Sequence, residues 1–230
     1  MRYIIACSGS GSRWNNYLGR PKHLIEIDNE TLISRTVRLI KKYDKNNEII
    51  IMAYRKDYKV NGTRLHVPNL FTQSRHVKYP AIYTCHNIWN NNGKTILLFG
   101  DIFFTENAIK KIINKSNYNT FKILFFGRKG SSELTNKKYG EIFGMSFNFI
   151  KNKIILKNLE ELKIKYEKKE IDRFITWELY KKLNNINLND IKFKFNSNFI
   201  DINDFTEDFD YPCDFINWIE KYNKYKRNSD

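Results

Sequence analysis

Cysteine and proline are both scarce in this 230-residue chain, at three and four residues. The cysteines, Cys7, Cys85 and Cys213, are odd in number, widely spaced and form no Cys-x-x-Cys pair. That argues against a disulfide framework and a cysteine zinc site. The four histidines, His23, His66, His76 and His86, have no metal-ligand spacing either. No apolar run approaches the roughly 18 residues of a membrane-spanning helix. Met1-Arg2-Tyr3-Ile4-Ile5-Ala6 reads as a strand without a small-residue cleavage pattern, so no signal peptide is expected and the cytoplasm is the expected compartment. Internal repeats and Pro- or Gly-rich linkers are missing, which makes a single domain over residues 1–230 the expectation.

What remains is a core-forming composition with a strong charge bias. Hydrophobic residues make up 41%, aromatics 15% and charged residues 28%, so the chain is neither a disordered polyelectrolyte nor a membrane protein. Forty Lys and Arg against 25 Asp and Glu give a formal charge of +15. An anionic partner fits that balance. So does a solvated surface with drifted composition, since Asn and Ile each number about 30 and, like Lys, have A/T-rich codons. The basic residues are dispersed among acids and hydrophobes, and no nucleic-acid-binding signature stands out, so no specific nucleic acid is expected.

Hydrophobic patterning predicts buried strands at 2–6, 48–53, 95–99 and 121–126. Helices are predicted at 31–43, from Pro80 to about 89, and at 106–114. A short strand is expected near 65–67. This alternation predicts an α/β fold: a three-layer, Rossmann-like, mostly parallel sheet flanked by helices. Beyond Gly127 the pattern changes. Residues 139–149 and 153–156 read as a β-ribbon, 159–183 as helical, 191–195 and 199–202 as strands, and 211–225 as a closing helix. A small β-ribbon and helical lobe over about 127–196 is therefore expected beside a core of about 1–126 and 197–230.

A Ser/Gly loop, Cys7-Ser8-Gly9-Ser10-Gly11-Ser12-Arg13, directly follows the first strand. Small residues there let backbone N–H groups converge on a phosphate, and Arg13, Arg20 and Lys22 can add charge-assisted bonds. The loop is not GxGxxG. Nor is Gly93-Lys94-Thr95 a Walker A tail, because Ile88 stands where the first glycine belongs and a strand follows.

Three segments in order, Ile4 to Arg13, then Pro21-Lys22-His23-Leu24, then Leu32-Ile33-Ser34-Arg35-Thr36, resemble the start of the MobA-like and sugar-phosphate nucleotidyltransferase superfamily. Ser8 departs from that pattern, standing where the family usually has its first glycine. Two later segments extend the resemblance. Phe99-Gly100-Asp101 puts an acid just past a central strand, where open α/β sheets bind ligands. Asp208-Phe209-Asp210-Tyr211-Pro212-Cys213-Asp214-Phe215 is similar to the family's late acidic motif.

The resemblance implies attack of a phosphorylated acceptor on the α-phosphorus of an NTP, with release of pyrophosphate. It implies Mg²⁺ held by Asp101 with Asp208, Asp210 or both. Arg13, Lys22 and Asp101 are the expected catalytic residues. Ala6, Cys7, Ser8, Gly9, Ser10, Gly11, Ser12, Arg13, Gln73 and Ser74 are the expected nucleotide-binding residues. Arg128 or Lys129, near Lys137, Lys138 and Glu141, is the expected acceptor contact, although an exposed basic turn reads equally well. Asp101 on its own also reads as a helix cap, Asp214 as a first-turn acid, and Asp201, Asp204 and Glu207 as solvated. CTP and a surface-polysaccharide precursor are favoured; sugar, polyol and choline phosphates and molybdopterin-type acceptors all fit, and a homodimer is left open. A GT-A glycosyltransferase and a non-catalytic nucleotide-binding relative are the alternatives.

Overall fold

The structure, a computed structural model, describes residues 1–9, 11–68, 79–119, 121–192 and 194–228. The chain opens with β1 (Arg2–Ala6), then the short hairpin β2 (Glu26–Ile27) and β3 (Glu30–Thr31), α1 (Leu32–Tyr43), β4 (Glu48–Met52) and β5 (Arg64–His66). There follow α2 (Ala81–Thr84), β6 (Lys94–Phe99), β7 (Ile102–Phe103), α3 (Glu106–Tyr118) and β8 (Leu124–Arg128). The last part contains β9 (Glu141–Asn148), α4 (Asn152–Glu167), α5 (Thr176–Leu183), β10 (Phe199–Asp201), β11 (Glu207–Asp208) and α6 (Pro212–Arg227).

Seven strands form the main sheet in the order β10-β8-β9-β6-β1-β4-β5. All its pairings are parallel except those of β9, which runs antiparallel to both β6 and β8. Alternate residues of β1 feed opposite faces, as the two-residue period of a strand requires. Tyr3 and Ile5 pack with Val37 and Ile40 of α1 and Ile109 and Ile112 of α3. Ile4 and Ala6 pack with α2, α4 and α5 through Ile82, Leu159 and Tyr180. A third cluster, centred on Trp14, Phe103, Phe209 and Trp218, seats α6. Helix starts are set locally. Thr31 and Thr105 each accept an N–H bond three residues on, from Ser34 at 3.1 Å and Ala108 at 3.0 Å. Among the described residues, no helix is long and apolar enough to cross a membrane.

The predicted three-layer α/β sheet is observed, and the ribbon is not. Residues 141–148 fill the middle of the main sheet, and 153–156 lie inside α4. The physical reason is burial on both faces: Ile142 to Phe147 are all buried, which two covered layers supply and a ribbon does not. In α4, Ile155, Leu159 and Leu162 recur at helical spacing and pack into the core. The helix expected over 159–183 is two helices, α4 ending where Lys169 adopts a left-handed conformation (φ 60°). Of 191–195, the described residues contain no strand. The lobe boundary expected near 127 falls inside β8.

Candidate active site

The carboxyl ends of β1, β4 and β6 lie side by side, with Ala6 opposite both Met52 and Phe99. The loop after β1 is tied across this end: Cys7 N–H donates to the Met52 carbonyl at 2.8 Å, and Gly100 N–H to the Ala6 carbonyl at 2.9 Å. A Cβ on Gly100 would lie 2.2 Å from Cys7 Sγ, so only glycine lets the two loops touch. Asp101 is thereby fixed beside the Ser/Gly loop. It is not a helix cap, since Thr105 caps α3.

Lys22 is delivered by a stiff connector. Trp14 is buried, and its indole donates to the carbonyls of Tyr17 at 3.1 Å and Arg20 at 3.0 Å. Pro21 then leads into a single turn over 22–24 whose Lys22 and His23 are both buried. The acidic segment arrives by a different route. β11 pairs antiparallel with β7, placing Asp208 opposite Ile102, the residue after Asp101. This two-stranded sheet brings positions a hundred residues apart in the sequence to one point.

The resulting constellation joins four distant residues. Lys22 Nζ lies 2.5 Å from Asp101 and 3.2 Å from Asp210. Arg13 lies 2.6 Å from the other oxygen of Asp210 and over the ring of Tyr211. Burial alone pulls the Lys22 ammonium down, but Asp101 and Asp210 together hold it above its ordinary range. Burial pushes Asp101 up, and the Lys22 charge, with its hydrogen bond, overcomes it and leaves it lowered. Asp208 lies 3.6 Å from Lys137, whose ammonium also reaches Asp214 at 3.2 Å. Burial and the neighbouring Glu141 charge raise Asp208. Glu141 itself is pushed up to about 7, chiefly by burial and then by the charges of Asp210 and Asp101.

Beside this constellation opens a cleft of about 1390 Å³. Ser8, Gly9, Arg13, His23, Asp101, Asp208 and Asp210 border it, as do Lys129, Arg173 and Trp177. Of the predicted nucleotide-binding residues, Ala6, Ser8, Gly9 and Arg13 face the cleft, whereas Cys7 is packed behind it. Burial, with a contribution from the Asp101 charge, raises the Cys7 thiol well above its ordinary value and makes it a poor nucleophile. Ser10, Gln73 and Ser74 lie outside the described residues. Of the two acceptor candidates, Lys129 borders the cleft and Arg128 does not: its guanidinium is buried against Glu207. Glu207 is likewise not the solvated acid expected, being fully buried. Asp214 is a first-turn acid, accepting the Tyr211 N–H at 3.0 Å. Lys137 and Glu141 are the site residues whose roles sequence reasoning missed; their proximity to Gly127-Arg128-Lys129 in the chain was the available signal.

Carboxylate oxygens are the donors Mg²⁺ prefers, and Mg²⁺ at phosphate sites takes one or two protein carboxylates, with phosphate and water completing its shell. Asp101 and Asp210, both within reach of one ammonium, suit that pattern. Among the described residues, no three acidic, histidine or cysteine side chains form a closed metal cage.

No family profile and no curated protein sequence matches the chain. Solved structures do. One assigned as a glucose-1-phosphate thymidylyltransferase from Bacillus anthracis superposes with a TM-score of 0.64 at 13% identity, covering 95% of this chain and 93% of that one. The CTP:phosphocholine cytidylyltransferase of Streptococcus pneumoniae gives 0.58 at 14%, covering 95% and 97%. The inositol-1-phosphate CTP transferase of T. maritima gives 0.56 at 14%, covering 96% and 95%. The chain therefore has the nucleotidyltransferase fold over nearly its whole length.

Proposed function

We propose that this protein is an NTP-dependent nucleotidyltransferase that transfers a nucleoside monophosphate, from CTP by preference, to a phosphorylated small molecule. The observation that carries the reading is Lys22 seated between Asp101 and Asp210, with Arg13 beside them, at the mouth of the loop after β1. Two of the structural neighbours named above are CTP-dependent transferases, which supports CTP.

The chemistry asks little of a nucleophile-activating base, because a phosphate monoester is already largely ionised at neutral pH. The barrier lies in bringing anions together and in stabilising the charge that develops on the transferring group. Arg13 is half-exposed and can swing from Asp210 to a polyphosphate tail. Lys22 has no such freedom, and its buried ammonium supplies a fixed positive charge at the Asp101 end of the cleft. Ser8 and Gly9 present backbone where a nucleotide would lie, and Lys129 stands at the cleft for the acceptor phosphate. Asp101 and Asp210 would hold Mg²⁺, which when bound would supply positive charge for the phosphates brought together in the cleft.

The test is a matrix of four NTPs against sugar, polyol and choline phosphates, read by pyrophosphate release with Mg²⁺. Acceptor-dependent release, strongest with CTP, is expected. Absence of release from every NTP, together with turnover of a nucleotide-sugar, would replace this reading with glycosyl transfer.

A further inference from the structure

Arg128, the last residue of β8, uses its guanidinium entirely inside the protein. It pairs with Glu207, and the two side chains are only 5% and 0% exposed. Its Nε donates to the Gly130 carbonyl at 2.9 Å and its Nη2 to the Tyr139 carbonyl at 2.8 Å. The second oxygen of Glu207 accepts the Asp208 N–H at 3.1 Å. One buried ion pair therefore grips both ends of segment 129–140 and the backbone of the acidic strand.

The surrounding backbone is built for this close approach. The β8–β9 register shifts between Phe126 and Gly127. A Cβ on Gly127 would lie 2.0 Å from the Glu141 carbonyl oxygen, and one on Gly140 2.8 Å from that of Arg128. Segment 129–140 is further closed by the Ser132–Lys137 bridge. From it, Lys137 reaches Asp208 and Asp214, while Lys138 and Tyr139 border the cleft.

Stability alone does not account for such a pair. Removing two charges from water offsets most of their attraction, and apolar residues of similar volume often fold as well. Apolar side chains cannot, however, hold two carbonyls and an amide in fixed places. We infer that Arg128 and Glu207 are positioning residues, a dry strut that sets the Asp208 backbone and the 129–140 wall of the cleft without touching reactants. The kinetic part of this inference rests on the nucleotidyltransferase reading; the structural part does not.

The experiment compares wild type with the Arg128→Met/Glu207→Leu double variant. Its denaturant midpoint is expected to stay near that of wild type. Hydrogen-exchange protection at 129–140 and 207–210 should fall roughly tenfold or more. Turnover for pyrophosphate release should fall by about the same factor, with KM for the NTP within about twofold. Arg128→Lys, which keeps the charge and loses the fork, should recover only part of the protection. Wild-type protection in the double variant overturns the strut. If the double variant does not fold, Glu207→Gln is read the same way, and unchanged protection at 129–140 overturns the strut there too. If wild type releases no pyrophosphate from any NTP, the activity reading fails while the exchange result still decides the strut.

Discussion

Two lysines each bridge a pair of aspartates at this cleft, and they are held by different means. Lys22 comes from a connector pinned by the buried Trp14, and its partners, Asp101 and Asp210, belong to strand-end segments far apart in the chain. Lys137 comes from segment 129–140, and its partners, Asp208 and Asp214, belong to one short stretch. Asp214 is in addition committed to starting α6. The first bridge thus joins the sheet to the acidic segment, and the second fastens a loop onto that segment. A charge seated between strand-end carboxylates can act on a reaction directly, whereas one that ties a loop to the acidic segment acts through the loop.

The sharpest way to break that comparison is to remove the groups themselves. Asp101→Ala, or chelation of Mg²⁺ by EDTA, should abolish pyrophosphate release; near-normal release in either case breaks the site assignment. Lys22→Met keeps the buried stem and removes the charge, and should cost roughly 10²–10³-fold in turnover with circular dichroism unchanged. Lys137→Met should cost only about tenfold, because it acts through the loop. Equal losses for the two lysines would show that the bridges are equivalent after all.

A stability measurement separates the two ends of the cleft by their coupling to protons. His23, next to Lys22, is buried and its Nδ1 lies 3.3 Å from the Tyr58 hydroxyl. Burial pulls its pKa down from 6.5 to about 4, with Asp101 opposing and Lys22 assisting. Between those values the unfolded chain binds a proton that the folded chain refuses, so stability is lost as pH falls through that window. At roughly 1.4 kcal/mol per pH unit, the loss approaches about 3 kcal/mol. Denaturant titrations of wild type and His23→Gln from pH 7 to pH 4 should diverge by that slope. Parallel curves would mean His23 is protonated in the folded state.

The first half of the chain was the more legible in sequence because its local patterns and its tertiary partners agree. Strands β1, β4 and β6 are apolar runs, and α1 and α3 carry their own threonine caps. The loop after β1, Lys22 and Asp101 could be read for the same reason: each sits just past a strand or a proline. From residue 127 onwards the signals are non-local. Nothing in Glu141 to Asn148 states that the strand inserts between β6 and β8, because its pairing partners were made earlier in the chain. Lys153 to Leu156 is short and apolar, and only its continuation to Leu159 and Leu162 marks it as helix. Arg128 and Glu207 look like surface charges until the β7–β11 pairing buries them together, which no sequence window contains.

The insertion of β9 between β8 and β6 also bears on how the chain is made. While the ribosome has delivered only the first 140 residues, Thr95 to Leu98 have β1 on one edge, and their other edge lacks the partners that Gly144 to Phe147 will supply. Such a bare apolar rim is a template for pairing with other copies. Nascent chains arrested before β9 should therefore cling to chaperones or to one another, and release should come within a few residues of Asn148 leaving the exit tunnel.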